Sequence, residues 1–384
     1  MLDIKLSSMK SNYLALLLSA LILLPLGPSL KAQQLTENDQ AQLDIALKTV
    51  FPSTQEAQLI PLTDGFSGDE LYKLELFDGD YLLGTYLLRT MPTTSAAYRD
   101  LFLEANLIAS NLEISPKIHF HSEDKALMIM DFIPGETLHP DRFKETAIIQ
   151  SIANNLRKLH QGPKLSAPGK TLMGMAHEHL AKIEEQSPLA SFSQIRSALA
   201  QIKAAFEVNP KKVFVHLDLH KENILEKEGT VFLIDWGNAG LDDPFADLGL
   251  LATMMYFTPQ QKAQYLDFYF EGQVTEIERA KLRIMEAVAA LKLSLWAQHQ
   301  ILERDPTFHA KIAKEFSPEL LLTSNAILSG DQFLEYFYNE KQGKLETPQD
   351  FLDIGAAFRR EFFLYIYSEA FIQDLITLQA APLE

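Results

Sequence analysis

The chain has no cysteine among its 384 residues, which rules out disulfides, thiolate nucleophiles and Cys-ligated metals. It is also short of positive charge: 34 Lys and Arg stand against 51 Asp and Glu, a formal net charge of −17. A phosphate-backbone binder needs a surplus of cations on one face, so nucleic acid is not an expected partner. The same acidity mildly suits a cationic small molecule. Internal repeats and low-complexity tracts are missing too. The apolar run YLALLLSALILLPL at 13–26 falls short of the roughly 20 residues that a bilayer-spanning helix needs. Lys5 and Lys10 precede it, Gly27 and Pro28 break it, and Ala32 precedes a polar stretch. That is the layout of a secretory signal. Residues 1–32 are therefore expected to be a signal peptide or membrane-targeting segment, and they provide the one expected membrane contact.

What remains has ordinary globular composition, 47% hydrophobic and 22% charged, enough for two domains or one domain with two lobes. AQLIPL, LYKLELF and YLLGTYLLRTM read as three strands of a meander, separated by the turn chemistry of TDGFSGDE and DGD. A short amphipathic helix is expected over 44–51, and SAAYRDLFLEANLIASNL at 95–112 has helical spacing. KIHFH and ALMIMDFI add two strands. The expected architecture is a small sheet-rich lobe over residues 33–133, a linker near 131–136, and a large helical lobe over 134–384. That second lobe begins with a helix at 145–160 and a helical stretch over 174–206. KKVFVH and VFLIDW then flank ENILEKEGT, with EKEGT as a hairpin turn.

The polar residues cluster where strands should end. In VFVHLDLHKENIL, residues 213–225, a strand runs into His216, Asp218, His220 and Asn223, and VFLIDWG places Asp235 at the end of the next strand. Phosphoryl transfer can use that spacing. One Asp orients the acceptor hydroxyl as a base, while an Asn and a second Asp hold a divalent metal on hard oxygens. The protein-kinase signature His-Arg-Asp-Leu, three residues, Asn is matched at His216, Asp218, Leu219 and Asn223, and DWG stands where Asp-Phe-Gly would. The sheet-rich lobe should supply the phosphate side. Gly65, Ser67 and Gly68 in DGFSGDELY sit between two strands, where backbone amides and a hydroxyl can cover phosphates. Arg89 lies in an otherwise apolar strand, where an unpaired cation is unfavourable, and Glu104 on the following helix is its expected partner.

These motifs resemble those of the aminoglycoside phosphotransferase and choline kinase superfamily, in particular its choline or thiamine kinase-like branch. HLDLHKENIL is similar to that family's HGDLHPGNIL, and LIDWGNAGLDDPFADLG to its IDWEYAGMNDPLWDLA. SPKIHF at 115–120, DFIPGETL at 131–138 and LRKLH at 156–160 follow the family order, and the likeness covers about residues 55–300. The resemblance implies an α+β, protein-kinase-like two-lobed fold, with ATP and Mg²⁺ as cofactors. It implies Asp218 as catalytic base, Asn223 and Asp235 as Mg²⁺ ligands, and Arg89 as the ATP phosphate contact oriented by Glu104. His216 and Asp247 are implied to be braces. Leu217 departs from the usual Gly, and Gly237-Asn238 from a Glu-Tyr pair. An ordinary protein kinase should carry Ala-Pro-Glu soon after the second Asp, yet the chain's Pro-Glu falls at 318–319.

The implied reaction is transfer of the γ-phosphate of ATP to a hydroxyl of a small molecule. A choline-like amino alcohol is favoured, because ALKLSLWAQHQ at 290–300 resembles the Trp-bearing helix of choline kinases and a Trp face attracts a quaternary ammonium. Trp296 and Trp236 are the expected substrate aromatics, with Tyr256 beside them. The alternatives are an aminoglycoside or thiamine phosphotransferase, or a non-catalytic pseudokinase binding module. The leader suggests export or membrane association, and ATP-dependent chemistry suggests the cytoplasm.

Overall fold

The computed structural model describes residues 35–62, 69–134, 138, 140–186 and 191–305, together with shorter stretches within 307–381. The leader at 1–32, the turn residues Gly65, Ser67 and Gly68, and residues 135–136 of the expected linker lie outside the described residues.

Strands β1 (Glu56–Leu62), β2 (Glu70–Asp78) and β3 (Tyr81–Thr90) form the expected antiparallel meander. In β2, Tyr72, Leu74 and Leu76 are buried and their neighbours are not, the alternation of a strand with one covered face. With β4 (Ile118–His121) and β5 (Leu127–Asp131) the sheet has the order β1-β2-β3-β5-β4. Helix α1 (Glu37–Thr49) starts earlier than expected because the Thr36 hydroxyl accepts from the Asp39 amide and caps it. It covers one face of the sheet with Leu43 and Ala46. Helix α2 (Ala96–Asn111) covers the other with Phe102 and Leu103. β5 serves both layers: Leu127 and Ile129 join the α1 side, Met128 and Met130 the α2 side.

After α3 (Thr146–Gln161) the helical stretch expected over 174–206 consists of two helices, α4 (Leu172–Gln186) and α5 (Phe192–Phe206). β6 (Val213–Val215) pairs with β9 (Gly240–Asp242), and between them β7 (Ile224–Lys227) and β8 (Thr230–Leu233) make the hairpin. Its turn residues Glu228 and Gly229 have φ of 53° and 83°, the left-handed pair that a tight hairpin turn favours. Then come α6 (Phe245–Met254), α7 (Pro259–Phe270), α8 (Glu276–Arg304), α9 (Pro318–Thr323), α10 (Gly330–Asn339), α11 (Pro348–Ile366) and α12 (Glu369–Gln379). The long α8 is apolar on nearly every side from Ala280 to Leu302, with α4, α6 and α11 packed around it. A helix buried all round is a core post, and this one organises the helical lobe. Among the described residues no helix is long and apolar enough to cross a membrane.

Candidate active site

β6 ends at Val215, and the next residues are held by one carboxylate. Asp247, on the first turn of α6 and fully buried, accepts the His216 and Leu217 amides at 2.7 Å each, and His160 Nε2 lies 3.1 Å from it. The two amide bonds hold Leu217 at φ 63° with its side chain buried, a left-handed conformation costing a non-glycine residue about 1–2 kcal/mol. The buried His216 faces both ways: its Nδ1 accepts from the Asp218 amide at 3.2 Å, and its Nε2 donates to the Ile234 carbonyl at 2.9 Å. His216 touches the backbone on either side of the cleft edge, so it positions Asp218. The Asn223 amide group donates to the Asp218 carbonyl at 2.9 Å and closes the loop.

The second acidic residue sits on a matching turn. Ile234 N–H donates to the Asn223 carbonyl at 3.0 Å, so Asp235 follows directly from a residue bonded to the loop. Asp235 has φ 61° and a side chain 40% exposed. At Gly237, two residues later, a Cβ would come within 2.6 Å of the Tyr98 hydroxyl, so a larger residue there would have to displace the end of that side chain. The Asn223 side-chain oxygen carries no hydrogen bond among the described residues. One amide oxygen and one open carboxylate are hard donors, and they fit a divalent cation that completes its shell with phosphate oxygens and water. Among the described residues there is no cluster of three or more His or acidic side chains able to hold a metal by itself.

Arg89 is buried on β3, and its partner is not the one expected. Its guanidinium pairs with Asp69, just before β2, with Nε donating at 2.8 Å and Nη2 also in contact. Nη2 lies 3.6 Å from Asp235, and the group stacks 4.3 Å over the Phe102 ring. Glu104 faces elsewhere on α2, where it accepts from the Ser166 amide at 2.8 Å and the Ser166 hydroxyl at 2.7 Å. Phe102 occupies the helix face over Arg89, and Glu104 ties α2 to the segment between α3 and α4.

Asp218 faces Lys292, which the sequence reading passed over. Lys292 Nζ is 3.7 Å from Asp218 Oδ1, and His220 Nε2 is 3.9 Å from Oδ2. Burial pushes the Asp218 carboxyl up, but Lys292, His220 and His216 together outweigh it and hold the group below the usual carboxylate range. His220 goes the other way: burial pulls it down, yet its bond to Glu222 and the charge of Asp218 raise it. A lone Lys between Ala290 and Leu295, one turn before Trp296, was the signal for Lys292.

The expected substrate aromatics are not gathered. Trp236 is 1% exposed, packs 4.5 Å from the His216 ring and donates to the Ser115 hydroxyl at 3.2 Å. The left-handed turn at Asp235 sends the next side chain into the core. Tyr256 lines a cavity against Arg283, Glu286, Ala287 and Ala290 of α8, about half a turn round that helix from Lys292 and Trp296. Trp296 is half-buried, on the Lys292 side, with its ring 5.7 Å from Phe351.

A model of the phosphotransferase enzyme family, APH, matches residues 60–284, more than half of the chain. The chain belongs to that family. The matched region contains β2, β3, the Asp218 loop and the Asp235 turn, so both halves of the candidate site lie within the span of the family. Among curated proteins it is similar to Protein LicA of Haemophilus influenzae, 24% identical over 171 residues, 43% of this chain and 62% of that protein. Its fold is that of small-molecule kinases with a protein-kinase-like architecture. A choline/ethanolamine kinase family protein from Mesorhizobium loti has a TM-score of 0.54 at 20% identity, over 84% of this chain and 99% of that one. Choline kinase LicA from Streptococcus pneumoniae has a TM-score of 0.51 at 18% identity, over 72% and 98%.

Proposed function

We propose that this phosphotransferase moves the γ-phosphoryl group of ATP to a hydroxyl of a small molecule with Mg²⁺ bound at Asn223 and Asp235. The observation that carries the reading is the loop geometry: Asp218 is fixed by its backbone on His216 and Asn223, and Asp235 follows directly from Ile234, which is bonded to Asn223. The acceptor oxygen forms a bond to the γ-phosphorus as the bond from that phosphorus to the bridging oxygen breaks. The electron pair leaves on ADP, and the hydroxyl proton passes to the Asp218 carboxylate. Bound magnesium supplies neutralisation of the phosphate charge. Arg89, anchored by Asp69, presents its guanidinium edge to the phosphates, and Trp296 gives the acceptor side an apolar wall. Calorimetry tests this: ATP should bind in the presence of Mg²⁺ and lose most of its affinity in EDTA, and indifference to EDTA would contradict the metal assignment.

Arg89→Met should weaken ATP binding by about tenfold or more, since hydrogen bonds to charged groups are worth about 1.5–3 kcal/mol each. Glu104→Ala should change ATP affinity much less, because Glu104 bonds Ser166 and not Arg89. Equal losses in the two variants would mean that Arg89 turns to Glu104 when nucleotide binds.

The pH dependence follows from the lowered Asp218 pKa. Asp218 is ionised above the usual aspartate value of 3.8, and the stability that its ionised form contributes is lost as pH falls below that value through the lowered folded pKa. The acid limb of kcat due to the base should therefore lie below the ordinary aspartate value of 3.8. A limb near neutrality that disappears in Asp218→Asn would refute the assignment.

A further inference from the structure

Lys292 is 7% exposed in the middle of α8. Its Nζ points at the base from 3.7 Å, beyond hydrogen-bonding distance, and its ammonium makes no hydrogen bond among the described residues. The residue is largely buried, but its Nζ is not among the sealed-in polar atoms lacking a partner, so the three donors of the ammonium reach open space beside Asp218 and are available to a ligand. On the side facing α4 the nearby carboxylate, Glu178, is paired with Lys182 at 3.0 Å. His179 lies there, its ring 5.5 Å from that of His299 and its buried Nδ1 without a hydrogen bond. Burial, then the Lys292 and His299 charges, push His179 down to about 4, so it is a neutral polar group at working pH. Lys170 approaches from the other side and donates to Asn238 at 2.6 Å. Glu178 is taken up by Lys182 and Glu222 by His220, so Asp218, the base, is the carboxylate that faces Lys292, and the ammonium makes no hydrogen bond among the described residues. A quaternary ammonium placed there would face a like charge, whereas an anionic oxygen would supply what Lys292 lacks.

Resting on the phosphotransferase reading, we infer that the acceptor is a hydroxy acid, an alcohol bearing a carboxylate or phosphate near the reacting hydroxyl, and that Lys292 binds that anionic group. The net charge of −17 that suited a cationic substrate belongs to the whole chain and does not describe this pocket. Lys292 is a specificity residue in this arrangement, and Asp218 keeps its role as base.

The test is calorimetric titration of the full chain saturated with Mg·AMP-PNP, using matched probes: glycerate against glycerol, 4-hydroxybutyrate against butane-1,4-diol, and choline as the cation. At least one acid should bind tenfold or more tighter than its alcohol and than choline. Lys292→Met, which keeps the length and apolar stem of the side chain, should bring that acid to within about twofold of its alcohol, and Lys292→Arg should restore part of the preference. Equal affinity of acid and alcohol, including no acid binding at all, would overturn the inference, as would tighter binding of choline. Loss of Mg·AMP-PNP affinity in Lys292→Met with no acid preference in the wild type would show that Lys292 serves the γ-phosphoryl group, and would overturn it too. Failure of Mg·AMP-PNP to bind the wild type is a different result, since it removes the phosphotransferase reading on which the inference rests.

Discussion

Replacing Asp218 with Asn should reduce kcat by at least a hundredfold and up to about ten-thousandfold, the range that a positioned general base contributes. The change should leave nucleotide affinity within a fewfold of the wild type. The geometry separates the two effects. Asp218 is held in the loop by its backbone, with its N–H on His216 Nδ1 and its carbonyl on the Asn223 amide, and neither bond involves the carboxylate that Asn would alter. The substitution removes the proton acceptor and the counter-charge of Lys292 and His220, and leaves an oxygen for the Asn238 side chain. Stopped turnover with intact ATP binding is the expected pattern in single-turnover kinetics and calorimetry. Undiminished turnover would remove Asp218 from the chemistry.

The second large effect is structural. Asp247→Ala should destabilise the helical lobe by about 3–5 kcal/mol, the usual penalty for breaking a buried charged network from one side. The carboxylate satisfies two buried amides and faces His160, whose other ring nitrogen lies 2.7 Å from the Tyr269 hydroxyl. Removing it orphans the His216 and Leu217 amides and releases the left-handed backbone at Leu217. The loop carrying Asp218 should then lose its shape, so activity should fall together with stability. Asp247→Asn keeps one acceptor oxygen and should lie between wild type and Ala. Denaturant unfolding checks the order, and an Ala variant as stable as the wild type would show that Asp247 does not hold the loop.

Much of the site was legible because it is local. Asp218, Asn223 and Asp235 lie on one hairpin and the loop before it, and their spacing alone brings them to one edge. The sheet meander was legible from alternating apolar residues and Gly-Asp turns, and the split of 174–206 into α4 and α5 was not, since both halves share helical spacing. The misplaced residues depend on packing across longer distances. Arg89 meets Asp69 because β2 and β3 pair with Leu71 opposite Arg89, and α2 presents Phe102 there in place of Glu104. Trp236 stands next to Asp235 in sequence but turns inward, because the left-handed Asp235 reverses the side-chain direction that a strand would continue. Lys292 reaches Asp218 from 74 positions away in sequence, a contact made by packing α8 beneath the loop. The motif residues are positioned by hydrogen bonds within a few residues of themselves, while acceptor-side residues are positioned by helix packing that no short pattern encodes. The substrate is therefore the part of the function least visible in the sequence.

The most direct measurement is phosphorus NMR of the full chain with Mg²⁺ and ATP, offered choline, ethanolamine, thiamine, an aminoglycoside and the hydroxy acids in turn. A phosphomonoester resonance growing in step with ADP for at least one alcohol, and missing with Asp218→Asn, is the expected result. ADP accompanied only by inorganic phosphate, or a phosphomonoester formed equally well by the Asn variant, would contradict phosphoryl transfer through this site.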